Sequence, residues 1–201
     1  MEPASSVAPA PTRRGRLGVW LRRSICLILL LAAPVSGFVV TNLAIQQSWA
    51  STIARGEAVA VLRVPRFGDD WAVPILAGTD GAALHRGVGW YTDTSPPGQI
   101  GNCVLVGQRL GAGQPFFHLL DLEAGDLILI ETADQRLTYV IDTAPRDLTV
   151  DRRQSWILDP VPLGVDLVPS QALLSLVTAQ DFLPTGDRSV GIAVLTAAEP
   201  K

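Results

Sequence analysis

At 201 residues the chain has room for one core-building domain and an appendage, and its formal charge of -3 conceals two unlike parts. Residues 1–23 carry five arginines against Glu2, a net +4, whereas residues 24–201 carry 11 basic and 18 acidic side chains, a net -7 with neutral histidines. An acidic main portion with scattered arginines excludes the basic stripe of a nucleic-acid-binding protein, and two cysteines, Cys26 in an apolar run and Cys103 in a strand pattern, exclude an internal disulfide framework.

The N-terminal tail, residues 1–23, opens on Pro, Ala and Ser and closes on arginines. It cannot bury enough apolar surface to offset the entropy of ordering, and disorder is expected. From Ser24 to Ile45 the sequence SICLILLLAAPVSGFVVTNLAI holds no charge. Its 22 residues, at about 1.5 Å each, match a hydrocarbon layer of about 30 Å, which predicts one transmembrane helix over 24–45. Arg13, Arg14, Arg16, Arg22 and Arg23 place the N-terminus in the cytoplasm, and Trp20 and Trp49 bracket the span at the interfaces. A cleavable signal peptide ending near Ser48-Trp49-Ala50 is the alternative, for which the apolar run is long. Residues 46–57 read as a juxtamembrane stalk.

The folded domain is expected over 58–196, with 197–201 a tail. Fifteen Pro and 18 Gly foretell many turns. AVAVLRVPRFG is a short strand stopped by Pro65, and Trp71–Leu76 is a second. Thr79–Arg86 is a helical turn capped by Thr79 or Asp80. Ser95-Pro96-Pro97-Gly98 is a tight turn, and Gly101-Asn102 another, tied by the Asn side chain. Cys103–Val106 is a buried strand, in which Gln108 shares a face with Val104 and Val106 while Cys103, Leu105 and Gly107 point the other way. Leu127–Thr132 and Leu137–Thr143 form a hairpin about residues 133–136, its first strand apolar on both faces. Asp147–Leu158 reads as a bent strand, Pro160–Pro169 as a loop, and Leu173–Thr178 and Val190–Leu195 as the closing strands. Many short strands and little helix describe a sandwich or small barrel. Internal repeats, metal-ligand clusters and phosphate-cradling loops are not seen in the sequence, so neither metal nor cofactor is expected.

One stretch organises the whole: SPPGQIGNCVLVGQRLGAGQPFFHLLDL, Ser95 to Leu122. Together with LSLVTAQDF (Leu174 to Phe182) and Arg188 it resembles the sortase family, and within it the class E sortases of Gram-positive cell walls. In that family the first stretch reads Pro-Gly-Gln-x-Gly-Asn-x-Val-Leu-x-Gly-His-Arg followed by Gly-x-Pro-Phe, and the second Leu-x-Thr-Cys; Gly87-Val88-Gly89-Trp90-Tyr91 fits the family's Gly-Pro-Gly-x-Tyr. The resemblance covers roughly Ala58 to Leu195 and implies an all-β, closed eight-stranded sortase barrel with short helices behind one transmembrane helix. It also implies an extracytoplasmic Cys transpeptidase acting on Leu-Pro-x-Thr-Gly or Leu-Ala-x-Thr-Gly sorting signals, with a His as acid and base and an Arg stabilising the oxyanion.

Two positions depart from that pattern. Gln108 stands where the resemblance asks for His, and Ala179 where it asks for Cys. Alanine has no nucleophilic atom, and an amide hydrogen-bonds without titrating. Arg188 keeps the family's arginine, and Arg109 and Thr178 are the further groove candidates. Replacement from nearby is poorly served: Thr178 faces the other side of its strand from residue 179, and His118, His85 and Cys103 read as half-exposed, surface and core residues. The expected protein is a membrane-anchored, catalytically degenerate sortase that binds a sorting-signal-like peptide or another membrane or cell-wall protein. An engineered inactive class E sortase and an enzyme with relocated residues are the alternatives; the last requires Thr178, His118 or Cys103 to sit within bonding reach of a cleft partner.

Overall fold

The computed structural model of the protein describes residues 58–111, 113–164, 167–181 and 185–201. The expected tail, membrane helix and stalk at 1–23, 24–45 and 46–57 lie outside these residues. Among the described residues no helix is long and apolar enough to cross a membrane.

Among the described residues nine strands form: β1 Ala60–Arg63, β2 Ala72–Ala77, β3 Val88–Trp90, β4 Gly101–Val106, β5 Leu127–Glu131, β6 Gln135–Thr143, β7 Thr149–Asp151, β8 Ala172–Ala179 and β9 Asp187–Pro200. Their order is β6-β5-β1-β2-β3-β4-β8-β9, and β6 pairs again with β9, so eight strands close on themselves. The short β7 hangs on the outside of β9. Most neighbours run antiparallel, but β2–β3 and β4–β8 are parallel. Closure removes the open edges that an antiparallel sheet would otherwise expose.

Alternation along each strand divides the side chains. Leu62, Ile75, Cys103, Leu105, Ile130, Tyr139, Leu174 and Leu176 point inward and are at most 1% exposed. Each large apolar side chain so buried contributes roughly 1.5–3 kcal/mol. A second apolar cluster (Val104, Val150, Ile157, Val177, Val190 and Ile192) lies on the outward face of the β4–β8–β9 wall, beneath the segment that leaves β7. That cluster floors the groove described below.

Several local features follow from single residues. Asp80 caps the helix α1, Gly81–Arg86, by accepting a 2.8 Å bond from the Ala83 N–H. The turn at Pro96 closes with Gln99 N–H donating to Pro96 O at 3.2 Å, and Gly98 takes φ +84, which a Cβ would strain. Its N–H donates to the buried Tyr139 hydroxyl at 2.7 Å, pinning the turn to the barrel interior.

Four expectations are corrected. Asp147–Leu158 is not one bent strand: only Thr149–Asp151 pairs, and after a turn Trp156–Leu158 is a 3-10 helix. The first hairpin strand is apolar but not buried on both faces, since Ile128 and Ile130 fill the barrel while Leu127 is 45% exposed. Gly101-Asn102 opens β4 and is not a turn. Residues 197–201 are no tail, because β9 runs to Pro200 and its residues 197–200 pair with Gln135–Thr138 of β6.

Candidate functional site

Where β4 ends, the chain holds to β8 for one residue more. Gly107 N–H donates to Val177 O at 3.1 Å, and the Thr178 hydroxyl donates to Gly107 O at 2.9 Å. A side chain at 107 would overlap the ring of Phe116, so glycine lets the strand end lie against that ring. Gln108 then follows on the outward face, after Val104 and Val106. The loop beyond it returns at Phe116, whose N–H donates to Gln108 O at 3.1 Å. The same alternation on β8 sets Ser175, Val177 and Ala179 outward, with Thr178 inward and only 1% exposed.

The β8–β9 register sets Ala179 opposite Arg188. Gln108, Ala179 and Arg188 therefore line one groove of about 300 Å³, with Leu84 of α1, Val106, Gly107, Arg109, Leu110, Thr178 and Asp181 completing its walls; the groove candidates Arg109 and Thr178 thus both border it. Val106 and Arg188 also line a neighbouring hollow of about 340 Å³, whose rim carries Asp151, Arg152, Arg153 and Gln154 over the outward apolar cluster. Arg109 donates to Gln180 O, tying the groove wall to the end of β8. Arg188 donates from Nη1 to Thr185 O at 3.2 Å and to Asp187 O at 2.8 Å. The rim arginines and Asp181 are not singled out by the sequence, because Arg152 and Arg153 fall in the stretch read as a bent strand and Asp181 lies in Leu174 to Phe182, where the resemblance points to residue 179.

The other chemically capable side chains lie elsewhere. Cys103 is 1% exposed inside the barrel, and burial pushes its thiol up to about 12, so the nucleophilic thiolate does not form near neutrality. His118 is exposed at the barrel surface, 2.9 Å from Asp121 Oδ2 and edge-on to Phe117. His85 sits on α1 and bonds Gly81 O within its own turn. Neither histidine lines the groove.

A wall of this kind, with a strand-end residue at 108 facing residues 179 and 188 across paired strands, has relatives. The sortase domain model matches residues 62–196. The chain belongs to the sortase family. Sortase SrtE1 of Streptomyces coelicolor is 32% identical over 136 residues, 59% of this chain and 36% of that protein. Sortase D of Bacillus subtilis is 34% identical over 86 residues, 43% of this chain and 41% of that protein. The chain thus spans well under half the length of the curated relatives it matches. Among solved structures, sortase E from Streptomyces avermitilis superposes with a TM-score of 0.63 at 32% identity, covering 71% of this chain and 90% of that one. Sortase E1 from Streptomyces coelicolor, solved with a tripeptide in its active site, gives 0.62 at 27% identity over the same shares. The class E kinship expected from Pro97 to Phe116 therefore holds, and the sortase barrel is the fold.

Proposed function

We propose that this sortase-fold chain binds a sorting-signal-like peptide in the groove without cleaving it, and that the segment 24–45 holds the domain at the outer face of a cell membrane. The observation that carries the reading is the meeting of Ala179 and Gln108 in the one groove that also contains Arg188. Acyl transfer by this scaffold needs an attacking atom that can also depart, a group that titrates near neutrality, and a fixed cation beside the oxyanion. The first two requirements have no candidate at those positions. Loss of a nucleophile or base from an acyl-transfer triad costs on the order of 10⁶ in turnover in a serine protease.

Against an enzyme with relocated residues stand the positions of the three alternatives. Thr178 borders the groove but is 1% exposed and gives its hydroxyl proton to Gly107 O, Cys103 is enclosed in the core, and His118 is engaged with Asp121 away from the groove. The likeness to a sortase solved with a peptide in its active site supports a peptide as the ligand class.

The test is direct. The full chain is titrated with a labelled Leu-Ala-x-Thr-Gly peptide in the presence of an amine acceptor, and binding and product are read in the same samples. Saturable binding with no product is expected; product formation by the unaltered chain overturns the proposal. Gln108→His with Ala179→Cys is expected to bring measurable transpeptidation, since the register opposite Arg188 is already in place.

A further inference from the structure

We infer that the groove selects peptides that end in a free carboxylate at its Ala179 end, in preference to an intact amide chain running on past that point. The inference rests on the peptide-binding reading above and names the chemical class of its ligand.

The first support is electrostatic. The described domain, residues 58–201, holds 10 basic and 17 acidic side chains, 10 - 17 = -7. The groove and its neighbouring hollow run against that balance: Arg109 and Arg188 line the groove against Asp181, 2 - 1 = +1, and Arg152 and Arg153 stand in the adjoining hollow against Asp151, 2 - 1 = +1. One of the two acids is partly engaged, Asp151 lying 4.0 Å from Arg153 Nε. Asp181 accepts a 3.0 Å bond from the Thr185 hydroxyl. A concave wall focuses the attraction of an anion to such a surplus, Arg153 contributing least because its side chain is 85% exposed.

The second support is the donor set at the Ala179 end. Arg188 spends Nη1 on two main-chain carbonyls, and its Nε and Nη2 have no bonded partner among the described residues. Those are two adjacent N–H positions of the planar fork that suits a carboxylate bidentately. Gln108 lines the same groove with a neutral amide, which adds no charge of its own.

The third is volume and charge at residue 179. An alanine methyl is one heavy atom smaller than a cysteine side chain. An acyl group held there as a free acid carries a second oxygen where a thioester would carry sulfur, so the missing atom and the added atom correspond in place. An ionised thiol beside Arg188 would also repel a carboxylate; a methyl does not. An amide has nitrogen in place of the second oxygen and brings no charge for Arg188 to match.

Three probes decide it on the full chain: a fluorescein-labelled Leu-Ala-Ala-Thr free acid, the same peptide as its C-terminal carboxamide, and the extended Leu-Ala-Ala-Thr-Gly-Gly carboxamide. The free acid is expected to bind about tenfold more tightly than either amide, the scale of one charge-assisted hydrogen bond. Arg188→Gln is expected to bring the three probes to equal affinity. Ala179→Val, which leaves every charge in place and overfills the one-atom gap with two methyl carbons, is expected to weaken the free acid most, and it serves where Arg188→Gln does not fold. Equal affinity for all three probes in the unaltered chain overturns this inference while leaving peptide binding intact. A free-acid preference that survives both substitutions also overturns it. Failure of every probe to bind overturns the peptide-binding reading and this inference together.

Discussion

Asn102 shows how much one buried side chain does for the groove. It is 1% exposed at the start of β4, on the outward face. Its Nδ2 donates to Ile157 O at 2.8 Å and to Asp159 O at 3.2 Å, and its Oδ1 accepts from Ser175 at 2.9 Å. One amide thus locks β4 to β8 and both to the 3-10 helix that roofs the outward apolar cluster. Asn102→Ala strips partners from two buried groups, Ile157 O and Ser175 Oγ, and from the part-buried Asp159 O, so a loss of about 2–3 kcal/mol is expected in denaturant unfolding. Peptide affinity should fall with it, because the roof at residues 156–158 loses its tether. Cys103, one residue on and on the opposite face, supplies a pH prediction. Its thiol moves from an ordinary 9.0 up to about 12 through burial, so the folded state holds a proton that the unfolded chain gives up. The stability it confers is complete below pH 9 and declines as pH rises from 9 through 12, at up to about 1.4 kcal/mol per pH unit. Burial raises the Tyr139 phenol in the same sense, so Cys103→Ala should flatten the alkaline decline without abolishing it. Thiol labelling mapped to the Cys103 peptide should be negligible at pH 8 until denaturant is added.

At the level of elements, the exit from β4 decides where Gln108 lies. Gly107 sits against the Phe116 ring with no room for a Cβ. Gly107→Ala must push the ring or the strand end aside, and about 1–3 kcal/mol of destabilisation is expected from such overpacking. The displacement should also lower peptide affinity, since Gln108 is the next residue; an unchanged affinity and unchanged unfolding midpoint would contradict this account. Asp80→Ala removes the cap of α1, with about 1 kcal/mol lost and Leu84 freed from its place on the groove wall. These elements were legible in the sequence to differing degrees. Period-two alternation placed β4 and β8 and put Gln108 on the outward face, because each strand is half inside the barrel and half against a second cluster. The same rule failed at Asp147–Leu158, where Trp156, Ile157 and Leu158 are apolar in order to pack on the outward face of the β4–β8 wall and not because they continue β7. Asn102 was read as a local turn former, and its partners 55 to 73 residues away cannot be found from neighbours in the chain. The rim arginines were missed for the same reason: only the pairing of β7 with β9, and of β9 with β8 and β8 with β4, brings residues 152 and 153 beside 106 and 188.

Across the whole molecule, closure is one more pairing, β6 with β9, and it reaches the last residues of the chain. Gln135 to Thr138 pair with residues 197 to 200, and Lys201 Nζ donates to Thr132 O at 2.8 Å while lying 3.5 Å from Glu131. The other half of β9 pairs with β8 and carries Arg188 opposite Ala179. A single strand therefore both shuts the barrel and builds the candidate site, so damage at its far end should propagate to the groove. Deleting residues 197–201 removes four register pairs and exposes Leu137, which faces Ala198. At about 0.5–1.5 kcal/mol net for each lost hydrogen bond, the deletion is expected to cost roughly 2–5 kcal/mol. The unfolding transition should remain single, with its midpoint shifted to lower denaturant. Hydrogen exchange should quicken both at Gln135–Thr138 and at the Gly107 amide, 3.1 Å from Val177 O, because opening of the seam and opening of the groove wall are then the same event. Were the seam and the groove independent, the Gly107 amide would keep its protection while residues 135–138 lost theirs, and the end of the chain would be the dispensable tail that its Ala-Ala-Glu-Pro-Lys composition suggests.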